Sequence, residues 1–493
     1  MVKQNRVVFF YPIITSNQFP LHPPLEVLAL STVLKKYGYK PTIIDQRLKQ
    51  DWYTSADLED LNDILYIGIS CRLGLQAQEG LKFAKWIRSI NPKIPLIWGG
   101  WGPSTAPELF IVNENVDCVI VGQADEVIVP LTEAIQNKTG YESIPGAVYL
   151  STNSNEIMQN PRKLISNLDA TPPMAYDLVN MHDYLSSGKI INYMSSRGCT
   201  GECEFCAINH VHQSNYSALQ SSRVIEEIKQ LIKTYSLTTL QFVDTNFFDI
   251  KERALEIAQG FIRNKFNINW SAYARADQLN KYSDEELSIF DRSGCRMVAI
   301  GIEAGNQKLL NDMKKNTSVD DNYTVVSRLK NTKIKIWALM ILGLPHETYK
   351  DFGDSIDMAI WIKKENPSNI ISFSPYCPPP DSELIEQAIG SSYKQSEKNL
   401  ENFTKIFIPH IYLLRNKMSW LAKNHESAIK YFIGTYAPIY FQNDIIRNRD
   451  IISRLLLTVL RLIAMFRIKY KYFKFPMLWW LQQTMKAFNN KYK

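Results

Sequence analysis

Ser195-Ser196-Arg197-Gly198-Cys199-Thr200-Gly201-Glu202-Cys203-Glu204-Phe205-Cys206 is the stretch on which the reading of this chain turns. It follows the short apolar run 190–194, which has the β-branched and aromatic character of a strand. Thiolates ligate iron in iron–sulfur clusters, and close spacing lets one loop wrap several corners of a cubane. Cys199, Cys203 and Cys206 hold three irons and leave the fourth open to a chelating substrate, with Phe205 placed to keep solvent away. The same region also suits zinc, because Cys199, Cys203, Cys206 and His210 form a Cys3His set within reach of one ion.

Outward from this loop, the chain alternates strand-like and helix-like segments in two series. Downstream, strands are predicted over 190–194, 239–243, 269–274, 297–302, 334–342 and 369–374, with helices between them such as 223–235, 251–264, 284–292 and 321–330. Such β-then-α units build a barrel or partial barrel whose reactive groups gather at the strand C-termini. The cysteine loop lies just after the first of these strands. Upstream, strands are predicted over 7–11, 40–45, 65–70, 95–98 and 116–121, and helices over 26–37, 79–90 and 128–136. This pattern gives a parallel sheet covered on both faces, with ligands beyond the strand ends, where Gly99-Gly100-Trp101-Gly102-Pro103 and Gly122-Gln123-Ala124-Asp125-Glu126 form loops. Residues 141–189 are rich in Asn, Ser, Pro and Gly and are read as a linker, with a hairpin near 146–150. The division expected is therefore 1–140, a Rossmann-like domain; 141–189, a linker; 190–390, a partial (β/α)6 barrel; and 391–493, a mainly helical region. No internal repeat is visible.

The 493 residues are 45% apolar and 21% charged, which fits a globular chain with sizeable cores. The opening MVKQNRVVFFYP reads as a strand rather than a signal peptide, and no run of about 18 uncharged apolar residues occurs. A cytoplasmic setting is the expectation. Seven cysteines are too few, and odd in number, for a disulfide scaffold; Cys71, Cys118, Cys295 and Cys377 are read as buried small hydrophobes. From Arg447 onward eleven Lys and Arg face one acid, Asp450, so the net charge of +7 belongs to the tail and not to the body.

The C-x3-C-x2-C spacing with an aromatic before the last cysteine, on the loop after the first strand of a repeated β/α region, resembles the radical S-adenosylmethionine (SAM) superfamily. Further segments in family order strengthen the likeness: Phe242-Val243-Asp244-Thr245-Asn246, Tyr273-Ala274-Arg275-Ala276-Asp277, Ile300-Gly301-Ile302-Glu303-Ala304-Gly305 and Met340-Ile341-Leu342-Gly343-Leu344-Pro345. The resemblance implies a [4Fe–4S] cluster on Cys199, Cys203 and Cys206, whose open iron SAM chelates. Reductive cleavage of SAM then gives a 5′-deoxyadenosyl radical, with electrons from a donor such as flavodoxin or ferredoxin. It further implies that Asp244 meets the SAM amino group, Arg275 its carboxylate, and Glu303 its ribose or adenine side. Each residue has an ordinary alternative: a turn or helix cap for Asp244, a salt bridge for Arg275.

The region ahead of the barrel resembles the cobalamin-binding domain that precedes many radical SAM cores. The similar stretches are Pro24-Leu25-Glu26-Val27-Leu28-Ala29-Leu30, Ile67-Gly68-Ile69-Ser70, the Gly99-Gly100 loop, and Val119-Ile120-Val121-Gly122 with Glu126. A corrin ring needs a broad apolar platform and close backbone approach, which these glycines permit. Two departures stand out. No D-x-H-x-x-G signature is present, since Asp45-Gln46-Arg47 follows the second strand, and Trp101 and Gly102 follow the paired glycines. The lower face of a bound cobalamin is therefore not expected to be ligated by a histidine of that motif. A corrin-free Rossmann-like remnant is the alternative.

In the tail, Arg447, Arg454 and Arg461 stand seven apart, on one face of a predicted helix. The segment suits either a cap packed on the barrel or peripheral contact with an anionic membrane surface. Phe473, Phe475, Pro476, Leu478, Trp479 and Trp480 would supply its core or anchor. No nucleic-acid-binding module is recognisable. Taken together, the resemblance implies a cobalamin-dependent radical SAM enzyme, a methyltransferase at an unactivated carbon of a small-molecule or lipid substrate. The alternatives are a cyclase or rearrangement catalyst of the same architecture, and a non-catalytic corrinoid or iron–sulfur protein.

Overall fold

A computed structural model describes residues 5–14, 21–151, 153–185, 188–377, 384, 400–406, 418, 420–441 and 451–473. The first sheet contains β1 (Arg6–Tyr11), β2 (Lys40–Asp45), β3 (Ile64–Ser70), β4 (Leu96–Gly99), β5 (Cys118–Ile120), β6 (Ala147–Leu150) and β7 (Ile157–Gln159), in the order β2-β1-β3-β4-β5-β6-β7. Strands β1 to β5 run parallel, as the α/β alternation predicts, whereas β6 and β7 add antiparallel. The alternation of β1 explains its central place. Val8 and Phe10 pack with the helix Leu75–Ile90 on one face; Val7, Phe9 and Tyr11 pack with the helices Leu25–Lys36 and Ile128–Asn137 on the other.

The segment read as a linker is more ordered than its composition suggests. Its hairpin β6–β7 extends the first sheet, because Ala147, Val148 and Tyr149 bury against β5. Ile165, Leu168, Tyr176, Met181 and Tyr184 then join the core of the second unit, and Tyr184 donates its hydroxyl to Asp45 at 2.8 Å. The segment thus binds the two units together rather than spacing them apart.

The second sheet comprises β8 (Ile190–Tyr193), β11 (Thr239–Phe242), β12 (Asn269–Ala274), β13 (Cys295–Glu303), β14 (Lys335–Leu342) and β15 (Ile370–Pro375). A separate antiparallel pair, β9 (Ser196–Gly198) and β10 (Tyr216–Ala218), brackets the cysteine loop. The order β15-β14-β13-β12-β11-β8 is fully parallel, and among the described residues β8 does not pair with β15, which leaves a partial barrel. Several outer helices begin where the sequence supplies reciprocal caps: Ser283 with Glu286, Ser318 with Asp321, and Thr348 with Asp351. Along β14 every second residue is buried against this helical layer while the alternate ones are only partly buried.

Helices Lys423–Tyr431, Ala437–Phe441 and Ile451–Lys469 follow. Their core residues Phe432, Tyr436, Ala464, Ile468 and Phe473 belong to the barrel's own hydrophobic cluster, so this region is a packed cap. Arg447, Lys474 and the aromatic run from Phe475 to Trp480 lie outside the described residues, as do Pro378 to Pro380 and the side chain of Arg454. No described helix is long and apolar enough to cross a membrane. Cys71, Cys118 and Cys295 are buried as expected, but Cys377 is exposed, because it stands just beyond the end of β15.

Candidate active site between the two sheets

The C-terminal ends of both sheets face one cavity of about 860 Å³. That lies toward the upper end of the range for small-molecule sites. From the first sheet it takes Tyr11, Gly68, Arg72, Gly99, Gly100, Trp101, Gly122 and Asp125; from the second, Asn192, Gln241, Asp244 and Tyr273. Gly198 and Ile208, on either side of the cysteine loop, complete the wall.

The cysteine loop is held at its root by Asp244, which is fully buried. Its Oδ1 accepts from the backbone N–H of Ser195 at 2.6 Å and of Ser196 at 3.0 Å, and its Oδ2 from the Ser195 hydroxyl at 2.5 Å. Arg253 donates to the Ser195 carbonyl and hydroxyl from behind. Burial raises the carboxyl above its ordinary range, with Arg253 opposing. Both oxygens are therefore taken up by the chain itself. In this structure Asp244 latches the turn between β8 and β9.

Arg275 is likewise engaged. Its Nε donates to Asp277 at 3.0 Å and its Nη2 to the Lys315 carbonyl at 2.6 Å, while Nη1 stands 3.4 Å from the Cys203 sulfur. The guanidinium thus lies at the cluster loop rather than open to a carboxylate. Glu303 carries a left-handed φ of 61° at an irregularity between β13 and β14 and accepts from the Lys315 ammonium at 2.9 Å. Both partners of this ion pair are buried, so Glu303 is spent on Lys315. The same ammonium lies 5.7 Å from the centre of the Phe205 ring, which packs against Leu309, Met313 and Leu344.

The cysteine loop has the features of a cluster cradle. A Cβ added at Gly201 would lie 3.0 Å from Arg275 Nη1, 3.3 Å from the Cys199 sulfur and 3.8 Å from that of Cys203. Only glycine leaves the space between those sulfurs open. Burial raises the Cys199 thiol and pushes that of Cys206 up to about 11, so binding iron must displace their protons. Among the described residues no group of three or more His, Cys, Asp or Glu side chains converges tightly enough for a single metal ion. Cysteines that ligate different irons of a cubane stand farther apart than ligands sharing one ion. The side chain of His210, needed for the zinc reading, lies outside the described residues.

On the opposite wall, Gly99, Gly100 and Gly122 line the cavity as predicted, but Glu126 does not. Glu126 turns away to pair with Lys163 at 2.6 Å, while its neighbour Asp125 faces inward and pairs with Arg197, two residues before Cys199. Asp45 and Arg47, which stand after the second strand where the D-x-H-x-x-G signature would fall, form a buried pair at 2.5 Å with the guanidinium 4.7 Å from the Tyr11 ring centre. Two lining histidines belong to no sequence motif. His22, on the loop after β1, and His212 are both pushed down to about 4, chiefly by burial, and stand as neutral imidazoles.

Gly100 offers a direct test of the cradle. Its φ is +95°, and a Cβ there would meet the Cys71 carbonyl oxygen at 2.6 Å. Gly100→Ala is expected to cost about 1–3 kcal/mol and to lower the cobalamin content of the purified protein, read by thermal denaturation and by the corrin absorbance. An unchanged midpoint and corrin content would show that the loop tolerates a side chain.

Comparison with known proteins agrees with this two-part cavity. The Radical SAM superfamily model matches residues 193–359, and the B12 binding domain model matches residues 13–131. An uncharacterized methyltransferase of Pyrococcus horikoshii is 27% identical over 63% of this chain, which spans 66% of that protein. The fold resembles that of the radical SAM methyltransferase TsrM from Kitasatospora setae, with cobalamin and a [4Fe–4S] cluster bound, at TM-score 0.66, 16% identity and coverage of 78% and 74%. It also resembles the cobalamin-dependent radical SAM enzyme OxsB, at TM-score 0.67, 15% identity and coverage of 94% of this chain and 72% of that one. The domain matches support use of an iron–sulfur cluster, SAM and cobalamin.

Proposed function

Because the chain is a radical SAM protein carrying a B12-binding domain ahead of its barrel, we propose that it is a methyltransferase acting on an unactivated carbon of a small molecule. The observation that carries this reading is the single cavity shared by the strand ends of both sheets. When bound, cluster and SAM supply a hydrogen-abstracting radical and the corrinoid a transferable methyl group. The protein's part is to hold donor and acceptor in line within one water-poor space.

Cys199, Cys203 and Cys206 are the proposed cluster ligands. Arg275 and Lys315 bring positive charge to the loop, as an anionic set of thiolates requires. Asp244 and Arg253 fix the loop's root. Gly99 and Gly122 line the wall offered to the corrin, Gly100 lets that wall pack on the Cys71 backbone, and Arg72 stacks 4.8 Å from the Trp101 ring at the rim. Electrons come from an external donor. A cyclase or rearrangement catalyst would use the same cavity without passing the methyl group on.

The test needs no knowledge of the substrate. Anaerobically reconstituted full-length protein, given cobalamin, reductant and SAM labelled in its methyl group, should yield 5′-deoxyadenosine and transfer label to the corrinoid. A protein that cleaves SAM but never labels the corrinoid is not a methyltransferase of this kind.

A further inference from the structure

Among its described side chains, the helix Ile451–Lys469 is anchored on one side. Ala464 and Ile468 are buried, with Leu460 and Ile463 packed against the same core. Just beyond it the Lys471 ammonium pairs with Asp357 at 2.5 Å and the Lys471 carbonyl accepts from the Tyr349 hydroxyl at 2.5 Å. The outward face is not polar, as a solvated cap helix would have it. Val459, Leu462, Phe466 and Tyr470 are 54%, 59%, 62% and 59% exposed, with Met465 and Tyr472 exposed beside them.

The spacing of these residues, i, i+3, i+7 and i+11, makes one continuous apolar stripe. At about 100° per residue, Lys469 and the exposed Thr458 fall within the arc that Met465 and these four residues span, Arg461 falls between that arc and the buried face, and Arg467 lies on the core side over the Tyr436 and Tyr472 rings. Residues 451–493 contain no Asp or Glu at all. A partner surface in water gives no reason for a mainly aliphatic and aromatic exposed face on a helix that carries basic residues and no acid. An anionic lipid surface does, since its acyl boundary takes the stripe and its headgroups take the basic residues.

We propose that this stripe docks the enzyme on an anionic membrane surface, with the helix lying in the interface and the barrel held above it. The anchoring through Lys471, Asp357 and Tyr349 keeps the stripe outward while the opposite face stays in the core. The inference does not depend on the methyl-transfer reading.

Flotation of the full-length protein with vesicles of phosphatidylcholine and phosphatidylglycerol, against phosphatidylcholine alone, tests it. Binding to the anionic vesicles is expected, weakening as salt rises. The double variant Leu462→Ser/Phe466→Ser should lower that binding by at least about tenfold, and Arg461→Gln/Lys469→Gln should reduce its salt dependence. The Ser variant should keep the wild-type circular dichroism, since both of its altered side chains are more than half exposed. No flotation, or flotation that neither variant weakens, overturns the proposal. So does a dimer that ignores vesicles and dissociates in the Ser variant, which would make the stripe a contact between copies of this chain.

Discussion

Replacing Cys199, Cys203 and Cys206 together by Ala is expected to abolish the brown charge-transfer absorbance of the reconstituted protein and to reduce SAM cleavage to background. The three sulfurs share one loop, bracketed by β9 and β10 and rooted on Asp244. In the proposed cluster each would ligate a different iron, so that no neighbouring side chain could replace them. The loss should leave the fold in place, because Cys199 and Cys206 are only partly buried and none of the three belongs to either main core. The triple variant should therefore match the wild-type apoprotein in thermal midpoint while lacking iron and sulfide by analysis. Retained absorbance would refute the ligand set. A variant that lost its fold would make the loop structural, which separate Cys206→Ala and Cys199→Ala proteins would show through unchanged iron content. Corrin binding is a second reading of the same sample, since the glycine wall belongs to the other sheet.

How much of the fold and site is legible from the sequence follows from what is local. The cysteine spacing is a property of one loop, and a thiolate's affinity for iron needs no tertiary context. The parallel strands are equally local, because their apolar runs alternate with helices whose caps lie in sequence beside them. Asp244, Arg275 and Glu303 stand at strand ends, and of the three Asp244 lines the cavity. Their partners are not legible. Ser195 stands 49 residues from Asp244, and the Lys315 that holds Glu303 comes from the loop after the next helix. A motif gives a side chain's address but not what has already claimed its hydrogen bonds. Glu126 and Asp125 show the same limit at the finest grain, since one step along a turn exchanges the solvent side for the cavity side. The hairpin near 146–150 is legible, but its joining of the first sheet is not, because its Asn- and Ser-rich setting reads as a linker and its burial rests on only a few apolar residues. His22 escapes notice because the histidine motif belongs after the second strand, whereas the cavity meets the loop after the first.

Arg197→Gln should destabilise the protein far more than the loss of an exposed charge would. Its guanidinium pairs with Asp125 across the two sheets, with side-chain exposures of only 14% and 3%. Removing the cation leaves a buried carboxylate without its partner, a change of about 3–5 kcal/mol, or on the order of 10 °C in midpoint. Asp125→Asn should cost a comparable amount by stranding the arginine. The double variant Asp125→Asn/Arg197→Gln removes both charges and should recover much of the loss, because the expense lies in the unpaired charge and not in the pair's net worth. Glu126→Gln is the internal control. Its bridge to Lys163 is exposed, with side chains 28% and 53% accessible, and should be worth no more than about 1 kcal/mol. Arg197 also stands two residues before Cys199, so its loss should loosen the cluster loop and lower iron incorporation, which Glu126→Gln should not. The assignment fails if Glu126→Gln proves the more damaging change, or if the double variant is no more stable than either single one. In either case the two sheets would be held together by the other contacts of residues 165–184, the Tyr184–Asp45 hydrogen bond among them, and the ion pair would be incidental to the site it borders.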